Sequence, residues 1–82
     1  MGLTSVYVFI TTEIGYEKDI FNKLKSIQDV KEAYLLIGLY DILVKLESDD
    51  MEYLKETIQS EIRCIDKIRS TTTMIELKPE NK

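Results

Sequence analysis

The residues best placed to do chemistry in this chain are Gly38, Leu39, Tyr40 and Asp41, a short run between two strongly apolar, strand-like segments. A carboxylate there offers an acceptor for a ligand ammonium, and the glycine lets backbone amides come close to a ligand carboxylate. Both residues also have purely local readings. Asp41 can stabilise a turn by bonding nearby amides, and Gly38 can supply the positive φ that hairpins require. Few other positions compete. The chain of 82 residues has no histidine, one cysteine and no metal-ligand spacing. Cys64 lies near the end of an apolar helical run with no base to activate it, which argues against a thiol nucleophile. The pair Asp49–Asp50 is accounted for by helix capping. The second polar feature is Ser70-Thr71-Thr72-Thr73. Threonine is a good strand former, so an ordinary strand explains it, yet consecutive hydroxyls also place donors and acceptors on both faces.

These residues need a scaffold, and the periodicities supply one. Ser5–Thr12 is rich in β-branched and aromatic residues and reads as a strand. Tyr16–Ile27 carries Ile20, Leu24 and Ile27 at helical spacing, with Glu17 and Asp19 near the positive end of the helix dipole. Val30–Ile37 and Tyr40–Glu47 read as two strands joined through Gly38-Leu39 as a hairpin. Ser48-Asp49-Asp50 is an N-cap cluster for a second helix bearing Leu54, Ile58, Ile62 and Ile65 along one stripe. Ile68–Leu77 is the last strand, and Pro79 closes the structured region. One domain over residues 1–78 with a flexible tail at 79–82 is expected. The order βαββαβ predicts an α+β, ferredoxin-like sandwich with two helices on one face of a four-stranded antiparallel sheet.

Alternation within the strands sharpens this. One face carries Val6, Val8, Ile10, Ala33, Leu35, Ile37, Ile42, Val44 and Leu46, an aliphatic set suited to lie under the helices. The other carries Tyr7, Phe9, Tyr34, Leu36 and Leu43, where a solvated sheet would be polar. Two copies packing sheet to sheet are expected, with those five residues at the dimer interface. Alternation also turns Asp41 towards that partner-facing side. The aromatics resemble a base-stacking platform, but the basic residues of RNA-recognition strands are missing and the net charge is -4.

Composition agrees. Hydrophobic residues make up 44% and charged residues 32%, the balance of an ordinary globular domain. A chain this short buries only about 60% of its unfolded surface, which makes oligomerisation a natural supplement. One cysteine rules out an internal disulfide and suits a reduced, half-buried thiol. No basic leader or membrane-length apolar run is visible, so a cytoplasmic protein is expected, without membrane or direct nucleic-acid contact.

Three segments together resemble the C-terminal effector-binding domain of the Lrp/AsnC regulators: Val30-Lys31-Glu32-Ala33-Tyr34, Gly38-Leu39-Tyr40-Asp41-Ile42, and Ile68-Arg69-Ser70-Thr71-Thr72-Thr73-Met74-Ile75. The resemblance runs from about Val6 to Leu77. It implies dimerisation through the sheets, assembly of dimers into rings, commonly octamers, and small effectors, usually amino acids, bound between dimers. Carried over, Gly38, Tyr40 and Asp41 match the family's turn, and Thr71, Thr72 and Thr73 its hydroxyl-bearing last strand. Asp41 then meets the α-ammonium, while backbone amides and threonine hydroxyls take the α-carboxylate. Leu39 stands at the variable position of the turn. Lrp/AsnC regulators carry an N-terminal helix-turn-helix; this chain resembles the stand-alone form, which implies indirect regulation through mixed rings with full-length relatives or through another protein. No enzyme activity, cofactor or metal is expected. Two alternatives stay open: a small dimeric monooxygenase- or isomerase-like enzyme, and a ligand-free ring scaffold.

Overall fold

Alternating β-branched and aromatic residues build the first strand, β1 (Thr4–Thr12), and every inward residue of its middle is aliphatic. The computed structural model describes residues 3–77; the 79–82 tail lies outside the described residues. After β1 come helix α1 (Glu17–Lys25), strands β2 (Val30–Leu35) and β3 (Ile42–Ser48), helix α2 (Met51–Thr57) with a π-helical continuation over Ile58–Ile62, and strand β4 (Ile68–Ile75). The sheet order is β2-β3-β1-β4 with every pairing antiparallel, the ferredoxin-like arrangement.

Local chemistry explains the element ends. Glu17 and Asp19 occupy the first turn of α1, and Lys23 and Lys25 the last, each complementing the helix dipole. Asp50 caps α2 by accepting from the Tyr53 amide at 3.2 Å. The buried stripe of α2 steps by four residues, from Leu54 to Ile58 to Ile62. Each such step overshoots a 3.6-residue turn by about 40°. Widening to a π turn, closed by the Arg63 amide on the Ile58 carbonyl at 2.9 Å, takes up the drift and keeps both isoleucines inward.

The core is one aliphatic layer. Val6, Val8, Ile10, Ile42, Val44 and Leu46 from the sheet meet Ile20, Leu24, Ile27, Leu54, Ile58 and Ile62 from the helical side, none more than 8% exposed. Alternation identified the six sheet residues, but three others of that set behave differently. Ala33 is half-buried, Leu35 is 45% exposed on the outermost strand, and Ile37 is 106% exposed. Ile37 lies outside the sheet because both strands that flank the loop stop short of it: the last pair of β2 and β3 is Leu35 with Ile42. A tight type I′ hairpin needs positive φ at both central residues. Gly38 has φ +147° but Leu39 is not in that region, so the chain opens into a longer loop, Leu36–Asp41. Cys64 is exposed, not half-buried, and its thiol donates to the Ser60 carbonyl at 2.7 Å.

Ile10 joins Ile42 on one side and Thr71 on the other, at the middle of the sheet and fully buried. Ile10→Ala should cost about 2–5 kcal/mol. Urea unfolding should show the midpoint falling with an unchanged slope.

Candidate functional site

Asp41 immediately precedes β3, so strand alternation does not orient it. Ile10 and Ile42 are the last residues paired between β1 and β3. The Asp41 amide donates to the Ile10 carbonyl at 2.9 Å, and past this point the ladder offers no backbone acceptor for the Thr12 amide. Asp41 Oδ2 accepts that amide at 2.8 Å, with Thr12 Oγ1 at 3.5 Å from the same oxygen. The carboxylate therefore stands in for a ladder carbonyl at the level where the other edge of β1 meets a bulge in β4, whose Arg69 is the extra residue between the pairs Thr11–Ser70 and Thr12–Ile68. The side chain is turned to the backbone of β1, not to the open sheet face that alternation suggests. Its amide partner is also far from local, 29 residues away in sequence.

This leaves the carboxylate half satisfied. Among the described residues no donor is bonded to Oδ1, and no buried polar side-chain atom is left unpartnered, so Oδ1 keeps contact with solvent. Around it, the Leu36 amide donates to the Asp41 carbonyl at 2.8 Å and closes the neck of the loop. Gly38 and Leu39 are exposed at its tip, where Gly38 answers a backbone conformation, since a Cβ there would meet open space. Tyr40 is half-buried, its ring tilted against Phe9 with centroids 5.1 Å apart.

The threonines are set apart from this loop by β1. Thr71 pairs with Ile10, Thr72 with Phe9 and Thr73 with Val8. In the row Ile42–Ile10–Thr71, the flanking residues are two strand spacings apart, about 10 Å. Thr72 shares the open face with Phe9, whereas Thr71 and Thr73 share the face of Ile10 and Val8. Thr73 lies a further two residues, about 7 Å, from the loop end.

On the open face, Phe9 sits between Leu43 and Thr72, and Tyr7 between Lys45 and Met74. Tyr34 pairs with Leu43 and is 49% exposed. Leu36 lies just past β2, in the neck of the loop. Lys45 is the charge within this apolar field. Its ammonium lies 5.8 Å from the Tyr7 ring centroid and 3.3 Å from Glu47 Oε2. Hydrogen bonding to Glu47 raises its pKa above the ordinary lysine value. The Tyr34 hydroxyl donates to Glu32 at 2.8 Å, which raises the tyrosine's pKa.

Thr12 is the site residue that sequence reasoning missed. Its signal was available: a polar residue continues the inward series Val6, Val8, Ile10, and it is 5% exposed. Among the described residues, no group of three or more Cys, Asp or Glu side chains could hold a metal ion, and no helix is long and apolar enough to cross a membrane.

The pattern of the Lrp/AsnC ligand binding domain matches residues 5–81. This chain belongs to that family. It is 36% identical over 71 residues to the regulatory protein AsnC of Haemophilus influenzae, a match covering 87% of this chain and 47% of the relative. The chain thus spans about half the length of that regulator. A hypothetical protein of Pyrococcus horikoshii of known structure is 34% identical, with TM-score 0.85, covering 94% of this chain and 93% of that one. A homocitrate synthase of Saccharolobus islandicus is 40% identical over 63 residues, but these are only 13% of its length. Membership makes the chain a ligand-binding module of a regulatory family, on the ferredoxin-like frame described above.

The Asp41–Thr12 bond makes two substitutions diverge. Asp41→Ala strands a nearly buried amide and should cost about 1–3 kcal/mol, whereas Asp41→Asn keeps an acceptor in place and should cost less than about 1 kcal/mol. Denaturant unfolding of the two variants beside the parent measures the difference.

Proposed function

We propose that this chain senses a small zwitterionic effector, a free amino acid, at the Leu36–Asp41 loop and influences transcription indirectly, through the assemblies it joins. The observation that carries this reading is the half-satisfied carboxylate of Asp41: Oδ2 is fixed by the Thr12 amide while Oδ1 remains open beside an exposed loop. An oxygen anchored this way meets a ligand ammonium with its geometry already set, which lowers the ordering cost of binding. Gly38, Leu39 and Tyr40 then frame the ligand, with backbone amides of the loop on its carboxylate. The hydroxyls of Thr71, Thr72 and Thr73 join from an adjacent copy, since β1 separates them from Asp41 within one chain.

Two further features support assembly. The open sheet face presents Tyr7, Phe9, Tyr34, Leu43 and Met74, and a second copy packed there supplies the burial that a small domain lacks. Dimers built this way place their loops outward, where further dimers close a ring, with an octamer as the expected form. Co-assembly with longer relatives gives the module a route to DNA that its acidic surface does not provide. The enzymatic alternative is disfavoured by the aliphatic filling between helices and sheet: among the described residues the buried polar side chains on that side are the hydroxyls of Thr12 and Thr57, with no buried acid or base beside them.

Calorimetry against the twenty amino acids, on protein whose size is followed by light scattering, tests this directly. Binding of at least one amino acid is expected, weakened about tenfold or more by Asp41→Asn because the charge on the ammonium's partner is gone. No heat and no shift in thermal midpoint with any amino acid would leave the scaffold reading in its place. Undiminished affinity in Asp41→Asn would move the ammonium partner elsewhere.

A further inference from the structure

At the same end of β1, but on the side of β4, the domain carries a cleft of about 300 Å³ between one face of α1 and the turn that enters β4. Tyr16, Asp19 and Lys23 line it from the helix side, Asp66 and Lys67 from the turn, and Ile20 forms an apolar floor. The spacing is not accidental. Residues 16, 19, 20 and 23 fall three or four apart, so they share one helical face.

The far wall is held by backbone contacts. Lys67 has φ +74°, the single non-glycine residue at positive φ among those described. Such a conformation costs an ordinary side chain about 1–2 kcal/mol and persists only where the surroundings fix it. Here the Lys67 carbonyl accepts the Glu13 amide at 2.9 Å, and its own amide donates to Asp66 Oδ1 at 3.1 Å. The result points the Lys67 ammonium over the Tyr16 ring, 5.1 Å from its centroid. Two carboxylates and two ammonium groups therefore border one small gap. Among the described residues none of these four charges is joined in an ion pair. Their charges are available to a guest that carries both signs.

We infer that this cleft is a second binding site, distinct from the Asp41 loop, for a small zwitterion of free-amino-acid size. Its ammonium is received by Asp19 and Asp66, its carboxylate by Lys23 and Lys67, and its side chain lies along Ile20 and Tyr16. A volume at the lower end of ligand pockets suits a molecule of that size and excludes a nucleotide or a folded partner. The site needs no second copy, because one chain supplies every group. It stands or falls independently of the loop.

Amide-resolved NMR titration of the ¹⁵N-labelled chain with glycine, leucine and methionine, each beside its uncharged N-acetyl amide, reads both sites at once. The expected result is saturable shifts at Tyr16, Asp19, Lys23 and Lys67 with at least one free amino acid and none with its neutral derivative. Asp19→Asn and Lys23→Gln, both exposed on the helix surface, should each weaken that binding about tenfold while leaving the spectrum of the fold intact. Shifts confined to Ile37–Asp41 and Thr12 would support the loop and overturn the cleft. Shifts at the cleft that do not saturate, or that the neutral derivatives reproduce, would overturn it as well. Saturable cleft shifts without any at the loop would sustain this site and refute the other.

Discussion

The structure hangs on the C-terminal end of β1. This strand is hydrogen-bonded on both sides, to β3 and to β4, and its inward residues Val6, Val8 and Ile10 are fully buried. At its end two consecutive amides go to different neighbours. The Thr12 amide is taken by Asp41 from the β2–β3 loop, and the Glu13 amide by the Lys67 carbonyl from the turn before β4. The Thr12 amide, nearly buried, could not be left unpaired without a cost of about 1–3 kcal/mol. One strand end thus fixes two loops that are otherwise distant in sequence. Asp41 of one candidate site and Lys67 of the other are thus tied to the same strand end, which is how a small scaffold can present a preset geometry.

Much of this was legible from residue order. The period-two pattern of β1 and β3 named all six sheet residues of the core, because a buried face tolerates no slip of register. The stripe Leu54, Ile58, Ile62 was equally plain, although not that its four-residue steps demand a π turn. What stayed hidden was set by contacts across the chain. Nothing adjacent to Asp41 says that its carboxylate completes a ladder with Thr12, since the bond exists only once β1 and β3 are side by side. The β2–β3 connection was misjudged for a related reason. Glycine signals a turn, but the tight hairpin also depends on its neighbour, and Leu39 does not take the second positive φ. The cleft is tertiary from the start, joining α1 to a turn more than forty residues later.

The open sheet face shows how the same pattern serves two ends. A sheet face exposed to water is ordinarily polar, yet here an aromatic and aliphatic centre is bordered by Lys45, Glu47 and Glu32. The charges are tethered to one another or to tyrosines: Lys45 to Glu47, Glu32 to the Tyr34 hydroxyl. A charge that already has its partner loses less on desolvation than a free one. Apolar centre and satisfied rim are the composition that the proposed sheet-to-sheet assembly requires of this face.

Coupling between ligand and assembly follows from the placement of the groups. Asp41 and the β4 threonines flank β1 about 10 Å apart, so on the proposed reading a ligand touching both would span a boundary between copies. Any such ligand stabilises the assembled state by mass action, since it binds that state and not its dissociated parts. Reciprocity then requires that assembly raise the affinity for ligand by the same factor. On that reading a concentration of metabolite would be converted into a degree of association, without a hinge or a change of fold. The exposed aliphatics of the loop, Ile37 and Leu39, have no stabilising role in a single chain, but they contribute apolar area wherever two loops or a loop and a ligand meet. A loop that is costly alone and favourable in company is what a sensor built on association requires.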